Sequence, residues 1–482
     1  MKKKPADLFR IPSRVRCLAV ELLALVVTPG LAVAAPAEPT NFVVIMADDL
    51  GYGDLGGVWG GAAHTPQLEQ MAFEGMRFTD FHSSGPVCTP TRAALMTGRY
   101  PARLGIVKAF NHPFNFEGWQ DLGIAAPHNR SEVTIATRLD QAGYVTGIFG
   151  KWHLGKNIAA NPTRHGFDEF RGLTCGCGDY FSKHTRYGEP DWWHDDQLEF
   201  QDGYATRVIT DNAVRFIEQH DGEPFFLYVP YSAIHFPWQD LDDADEIKRE
   251  TGVPVGRPGA ATKVGPNRAD EVPAVARRMI EEVDAGVGRI LATLRTRGLD
   301  RFTLVIFKSD NGGYTNYRYG DTPIVVSSNG PLRGAKGDVY EGGHRVPCIA
   351  WWPGRITPGT VTAETAVTMD LVPTILELAG LDPPAPDGPN ALDGVSLVPV
   401  LLERRQLASR TLFWMSAPRR GGQVSLAARW GPWKLVDDQL FNLGDDLGES
   451  RDVAKQFPEL ARELKARRAA WENDVRRPDV SS

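Results

Sequence analysis

Along most of the chain, short apolar runs alternate with stretches whose apolar positions recur at helical spacing. The runs at 42–47, 145–149, 225–229, 304–308 and 348–352 predict strands. Helical spacing predicts helices over 66–74, 91–96, 133–142, 204–218, 272–295 and 371–378. This alternation is the rhythm of a largely parallel sheet covered by helices. No internal repeat is visible.

Two intervals break the rhythm. Residues 172–204 read as an aromatic loop carrying Tyr180, Phe181, Trp192, Trp193 and His194, and 240–270 are rich in Pro, Gly and charge. Long insertions in an α/β protein sit over the sheet's active edge, which makes both candidates for substrate specificity rather than chemistry. Beyond Pro383-Pro384-Ala385-Pro386 the pattern changes to short strands at 411–416, 424–429, 434–436 and 439–442, then a helix over 459–473. Consecutive strands followed by one helix predict a small antiparallel subdomain over 401–482, after a main domain over 35–400.

Composition adds limits to this picture. With 482 residues, 42% of them hydrophobic and 23% charged, the chain has material for a large core. A net charge of -7 and the lack of a long basic tract exclude a nucleic-acid binder. An anionic substrate must then be held by a local basic pocket. The first 34 residues read as a secretory signal, with a basic start, an apolar stretch around 22–27 and the small-residue run Ala32-Val33-Ala34. The expected location is therefore exported, periplasmic or secreted. A cytoplasmic tail or an uncleaved short anchor are the other readings, but the apolar run is too short to span a bilayer comfortably, and no later segment looks transmembrane. Five cysteines do not make a disulfide framework in a chain this long. Cys17 belongs to the leader and Cys348 to an apolar run, while Cys175 and Cys177 form a C-x-C pair open to bridging, metal binding or a structural role.

The segment that carries chemistry is Cys88-Thr89-Pro90-Thr91-Arg92-Ala93-Ala94-Leu95-Met96-Thr97-Gly98-Arg99. Pro90 suits the first turn of a helix, which would place Cys88 just ahead of an N-terminus whose unpaired N–H groups favour an anion. A reactive or buried thiol is the plainer reading of Cys88 taken alone. The segment resembles the signature of formylglycine-dependent sulfatases, C-x-P-x-R followed by a helical turn ending in T-G-R. That resemblance implies oxidation of Cys88 to a formylglycine aldehyde. Hydrated, the aldehyde offers one hydroxyl to attack sulfur and a second to expel sulfate by carbon–oxygen cleavage.

Further segments resemble the same family. Asp48 and Asp49 follow the first predicted strand, and Asp310 and Asn311 follow the fourth. The resemblance implies that these four, with the modified Cys88, hold a divalent metal. Hard oxygen donors suit Ca²⁺, with Mg²⁺ the second choice, and argue against zinc. Gly150-Lys151-Trp152-His153-Leu154-Gly155 looks like another family element and places Lys151 and His153 at the sulfate or the diol. Leu332-Arg333-Gly334-Ala335-Lys336-Gly337, continued by Glu341-Gly342-Gly343, does the same for Lys336, with Ala335 where many relatives carry Gly. His235, in Ala233-Ile234-His235-Phe236-Pro237, matches the histidine near the leaving group. Charge then suggests roles: Arg92, Lys151 and Lys336 for the sulfuryl oxygens, His235 as acid for the departing alcohol and His153 as base for the second hydroxyl.

The resemblance covers about 41–355, and His165-Gly166-Phe167-Asp168-Glu169 is similar to a stretch of arylsulfatases and N-acetylgalactosamine-6-sulfatases. It implies an α/β fold of the alkaline-phosphatase-like kind, a three-layer sandwich with a large mixed sheet, plus the small C-terminal subdomain of antiparallel sheet and helix. It also implies a sulfated glycan or aryl sulfate as substrate and a formylglycine-generating or other sulfatase-maturing enzyme as partner. Tyr180, Phe181, His184, Trp192 and Trp193 are candidate stacking surfaces for a sugar ring. Two alternatives use the same scaffold: a phosphate-ester or phosphonate hydrolase, and a glycan-binding protein without turnover.

Overall fold

Residue alternation in the first strand explains the layers. In β1 (Asn41–Ala47), Val43, Ile45 and Ala47 enter one buried apolar cluster and Phe42, Val44 and Met46 enter another, so both faces of the sheet are covered. The computed structural model describes residues 40–110, 132–185, 188–241, 270–315, 317–319, 322–417 and 424–475. The predicted leader over 1–34 and most of the 240–270 loop lie outside the described residues.

The strands that follow are β2 (Met76–Phe78), β3 (Phe81–His82), β4 (Val145–Lys151), β5 (Glu169–Leu173), β6 (Trp193–His194) and β7 (Gln197–Leu198). Next come β8 (Phe225–Pro230), β9 (Thr303–Ser309), β10 (Tyr317–Tyr319), β11 (Thr322–Ile324), β12 (Cys348–Trp351), β13 (Thr360–Thr362) and β14 (Ala366–Val367). Ten of them form one sheet in the order β13-β2-β12-β9-β1-β8-β4-β5-β6-β7. Its centre, β9-β1-β8-β4-β5, is parallel, and β12 on one side and β6 on the other join antiparallel. This is the large mixed sheet of the alkaline-phosphatase-like fold.

Helices α1 (Pro66–Glu74), α4 (Ala205–Gln219) and α5 (Val272–Thr296) cover the face of Val43 and Ile45. Helices α2 (Cys88–Thr97), α3 (Ile135–Gln141), α7 (Leu371–Leu378) and α8 (Val398–Glu403) cover the face of Val44 and Met46. Between them in sequence lies α6 (Glu341–His344), a single turn. Strands β15 (Thr411–Met415), β16 (Leu426–Trp430), β17 (Trp433–Val436) and β18 (Gln439–Asn442) form an antiparallel sheet, followed by α9 (Pro458–Val475). No helix among the described residues is long and apolar enough to cross a membrane.

Several expectations are corrected in detail. Helix α2 starts at Cys88 itself rather than at Thr91, so Pro90 is its third residue. Helix α3 starts two residues late because the Thr134 hydroxyl accepts from Thr137 N–H at 3.0 Å and caps it. The interval 172–204 is not all loop, since β6 and β7 extend the sheet within it. Tyr180 and Trp192 are packed in the core and are not stacking surfaces for a ligand.

Candidate active site

Chain ends of the parallel strands converge at one edge of the sheet, the usual place for a site in such folds. Asp48 and Asp49 follow β1, Asp310 and Asn311 follow β9, Lys151 ends β4, and His235 lies just beyond β8. Cross-links hold this edge together: Asp310 N–H donates to Ala47 O at 3.0 Å, Asp48 N–H to Ala233 O at 2.8 Å and Ile234 N–H to Asp48 O at 2.6 Å. Asp49 adopts a left-handed φ of 63°, and its N–H donates to Asp310 Oδ1 at 3.2 Å. An aspartate tolerates that conformation better than a β-branched residue. Asp54 secures the turn beyond it by accepting from Gly51 N–H at 2.7 Å and Ser328 N–H at 2.6 Å.

Cys88 reaches this edge from the first position of α2 and is buried. Ligand atoms of Asp48, Cys88 and Asp310 lie within 4.8 Å of one another. Arg92, one turn on, donates to Asp310 Oδ2 from Nε at 3.2 Å and Nη2 at 2.8 Å, and from Nη1 to Lys151 O at 2.6 Å. Lys151 pairs with Asp48, and Lys336 Nζ lies 2.5 Å from Asp49 Oδ1. The ten residues singled out by the sequence thus gather at one place, with His153 and His235 on its flanks.

Burial and charge set the protonation states. Burial and the neighbouring Asp310 push Asp48 up to about 8, whereas Arg92 and Lys151 overcome the burial of Asp310 and hold it below the usual carboxylate range. Asp48 Oδ1 and Asn311 Oδ1 are buried and lack hydrogen-bond partners. Buried oxygens of this kind are costly unless something else binds them. An all-oxygen set with a strained carboxylate charge fits a divalent cation. Burial also pushes the Cys88 thiol up to about 12 against the opposing influence of Lys151 and Lys336, so as a thiol it is a poor nucleophile at neutral pH. Despite burial, Lys151 is raised by Asp48 and Lys336 is raised by Asp49, and both stay charged.

His153 has a defined tautomer. Its Nε2 lies 2.9 Å from Phe110 O, which can only accept, so a neutral ring carries its proton there. Nδ1 is then a bare lone pair, buried and without a partner. Burial, with Lys151 close by, holds this imidazole well below its ordinary value. His235 Nδ1 lies 2.9 Å from Phe236 O, and its Nε2 faces Asp49 Oδ2 at 3.9 Å.

Several supporting contacts carry no sequence signal, even where the residue itself stands out. Tyr180 donates its hydroxyl to His235 O at 2.9 Å. Gly176 packs against His153 so closely that a Cβ there would lie 2.5 Å from the ring. Cys175 donates to Cys177 O at 2.9 Å, and neither thiol is in a disulfide. Only the adjacency of these loops in space reveals such roles.

The fold and this edge define a metal-assisted hydrolase of oxyanion esters. The sulfatase family model matches residues 40–381. Mouse N-acetylgalactosamine-6-sulfatase is 35% identical over 433 residues, covering 87% of this chain and 76% of that protein. Human arylsulfatase A is 34% identical over 446 residues, covering 86% and 77%. Among solved structures, Ps i-CgsB in complex with k-i-k-neocarrahexaose superposes with a TM-score of 0.76 at 29% identity, covering 92% of this chain and 94% of that one. The chain belongs to the sulfatase family.

Proposed function

We propose that this sulfatase removes sulfate from a sulfated sugar or polysaccharide, with calcium as its metal and formylglycine at position 88. The observation that carries the reading is the placement of buried Cys88 among buried carboxylates, beside the unpartnered oxygens of Asp48 and Asn311 and three paired cations. Asp48, Asp49, Asp310 and Asn311 would hold the cation, which when bound supplies polarisation of a sulfate oxygen. A bound divalent cation would hold Asp48 ionised, so that three carboxylates offset the charges of Arg92, Lys151 and Lys336 and the cation leaves the site net positive and suited to an anion. Lys151 and Lys336 orient the sulfuryl oxygens, and Arg92 fixes the carboxylate of Asp310 beside the nucleophile.

Proton traffic falls to the histidines. The hydrated aldehyde presents two hydroxyls, and the lone pair on His153 Nδ1 takes a proton from the second of them. His235, whose Nε2 faces Asp49 Oδ2 at 3.9 Å across the site, protonates the departing alcohol. Sugar substrates are supported by the names of the relatives, one an N-acetylgalactosamine-6-sulfatase and one solved with an oligosaccharide. The leader read from the sequence over 1–34 supports the proposal of export, and modification of Cys88 calls for a sulfatase-maturing enzyme in the host.

The reading is tested with matched aryl sulfate and aryl phosphate esters. Faster turnover of the sulfate is expected, and a clear preference for phosphate would contradict it. Metal-depleted protein should lose turnover and thermal stability and regain both with Ca²⁺ more fully than with Mg²⁺. Equal recovery with Mg²⁺ would remove calcium from the proposal.

A further inference from the structure

A second buried ionic cluster lies where the C-terminal sheet meets the main domain, and the chemistry above does not use it. Asp80, Glu341 and Glu449 face Arg345, Arg429 and Lys434, three carboxylates against three cations. Lys434, on β17 and fully buried, places Nζ 2.9 Å from Glu341 Oε1, 2.9 Å from Glu449 Oε1 and 3.1 Å from His344 Nε2. His82 Nδ1 lies 2.9 Å from His344 Nδ1, so one ring donates to the other. His82, Glu341 and His344 have the spacing of a metal site. That reading fails, because Lys434 already contacts both Glu341 and His344, while Arg429 Nη1 sits 2.8 Å from His82 Nε2.

The cluster touches the active edge through α6, which Glu341 begins. Gly343 O accepts from Gly312 N–H at 3.0 Å, directly beyond Asn311. The backbones are so close there that a Cβ on Gly312 would lie 1.8 Å from Gly342 O. Upstream in the same loop, Lys336 N–H donates to Gly313 O at 3.1 Å and Gly337 N–H to Pro86 O at 2.7 Å, two residues before Cys88. From the other side, His344 O accepts from Ser83 N–H at 2.7 Å, and Trp414 Nε1 of β15 donates to Ser83 O at 2.8 Å.

We propose that Lys434 is a positioning residue for sulfate-ester hydrolysis: from the C-terminal sheet it neutralises Glu341 and Glu449 and so fixes the loop carrying Lys336 against Asn311 and Cys88. The proposal rests on the sulfatase reading. Without the ammonium, Glu341 keeps Arg345 and Arg429 on Oε2 at 3.2 and 3.4 Å, but Glu449, which accepts from Glu341 N–H at 2.7 Å, loses the cation on its Oε1 and is left as a surplus buried charge. Relieving that charge by moving Glu449 breaks its bond to Glu341 N–H, and the movement falls on residues 336–343. Glu449→Gln would remove the surplus charge while keeping an oxygen for Glu341 N–H.

The test compares wild type, Lys434→Met and Lys434→Met/Glu449→Gln. Each is assayed for kcat and KM on an aryl sulfate, thermal midpoint and formylglycine content. Lys434→Met should lower kcat on the order of tenfold or more with KM within about twofold and formylglycine unchanged. The double variant should recover most of kcat. A Lys434→Met protein that melts earlier yet keeps wild-type kcat would show a merely structural lysine and overturn the proposal, as would a double variant with no recovery. Should Lys434→Met not fold, the double variant decides: folded and active supports the proposal, unfolded or inactive overturns it. Wild-type protein without turnover of any aryl sulfate or sulfated sugar would contradict the sulfatase reading itself and remove the proposal with it.

Discussion

Cys88 is the residue on which the chemistry turns, and its own thiol is the wrong reagent. Burial pushes it up to about 12, which leaves almost no thiolate at neutral pH. Cys88→Ala should therefore lower kcat by at least about 10³-fold while the thermal midpoint stays near wild type, as for other nucleophile removals. His153 allows a prediction with a sign. Its imidazole is held well below 6.5, so the basic form is already full at neutral pH. Turnover limited by this base should stay level as pH falls from 7.5 to about 6.5 and decline only further into acid. A kcat profile that falls through 6.5 would place the base elsewhere. Replacing His153 by Ala should cost about 10²- to 10⁴-fold in kcat.

Elements decide how accurately these side chains are held. Gly176 illustrates this, because its missing side chain is what lets the 173–177 loop lie against the His153 ring. Gly176→Ala should lower kcat more than it lowers the thermal midpoint, since the ring is displaced while the core is untouched. Wild-type kcat in that variant would show that the loop yields instead. Tyr180→Phe removes the hydrogen bond to His235 O and should cost about 1 kcal/mol of stability, with a drop in kcat if His235 shifts. The strands β1, β4, β8, β9 and β12 were legible in the sequence because apolar runs mark buried strands, and the Asp, Asn, Lys and His residues beyond them because their segments resemble the sulfatase family; β5 and the short edge strands carry no such run. Gly176, Tyr180 and Phe110 were not legible in their roles, since each acts on a residue distant in sequence and its own neighbourhood resembles any loop. The aromatic interval misled for a related reason: Tyr180 and Trp192 face inward, and composition does not show direction.

At the scale of the molecule, the fold ties two sheets together through buried charge. His82 and His344 are both lowered by burial and stay neutral in the folded protein, whereas in the unfolded chain each takes up a proton below its ordinary value of 6.5. Their contribution to stability is present above 6.5 and is lost as pH falls below it. The thermal midpoint should fall as pH drops from about 6.5 to about 5.5, and less so in a His344→Gln variant; an equal slope in both would assign the acid sensitivity to other groups. The antiparallel C-terminal sheet was visible as consecutive short strands, but its docking through Arg429 and Lys434 was not, because their partners Asp80 and Glu341 lie far away in sequence. The central claim is that position 88 of this sulfatase works as formylglycine. Its most direct test is a mass spectrum of the tryptic peptide covering 78–92 from active protein made in its native host. The predicted result is a peptide lightened by the exchange of CH₂SH for CHO, in proportion to specific activity; an unmodified thiol throughout a fully active preparation would contradict it.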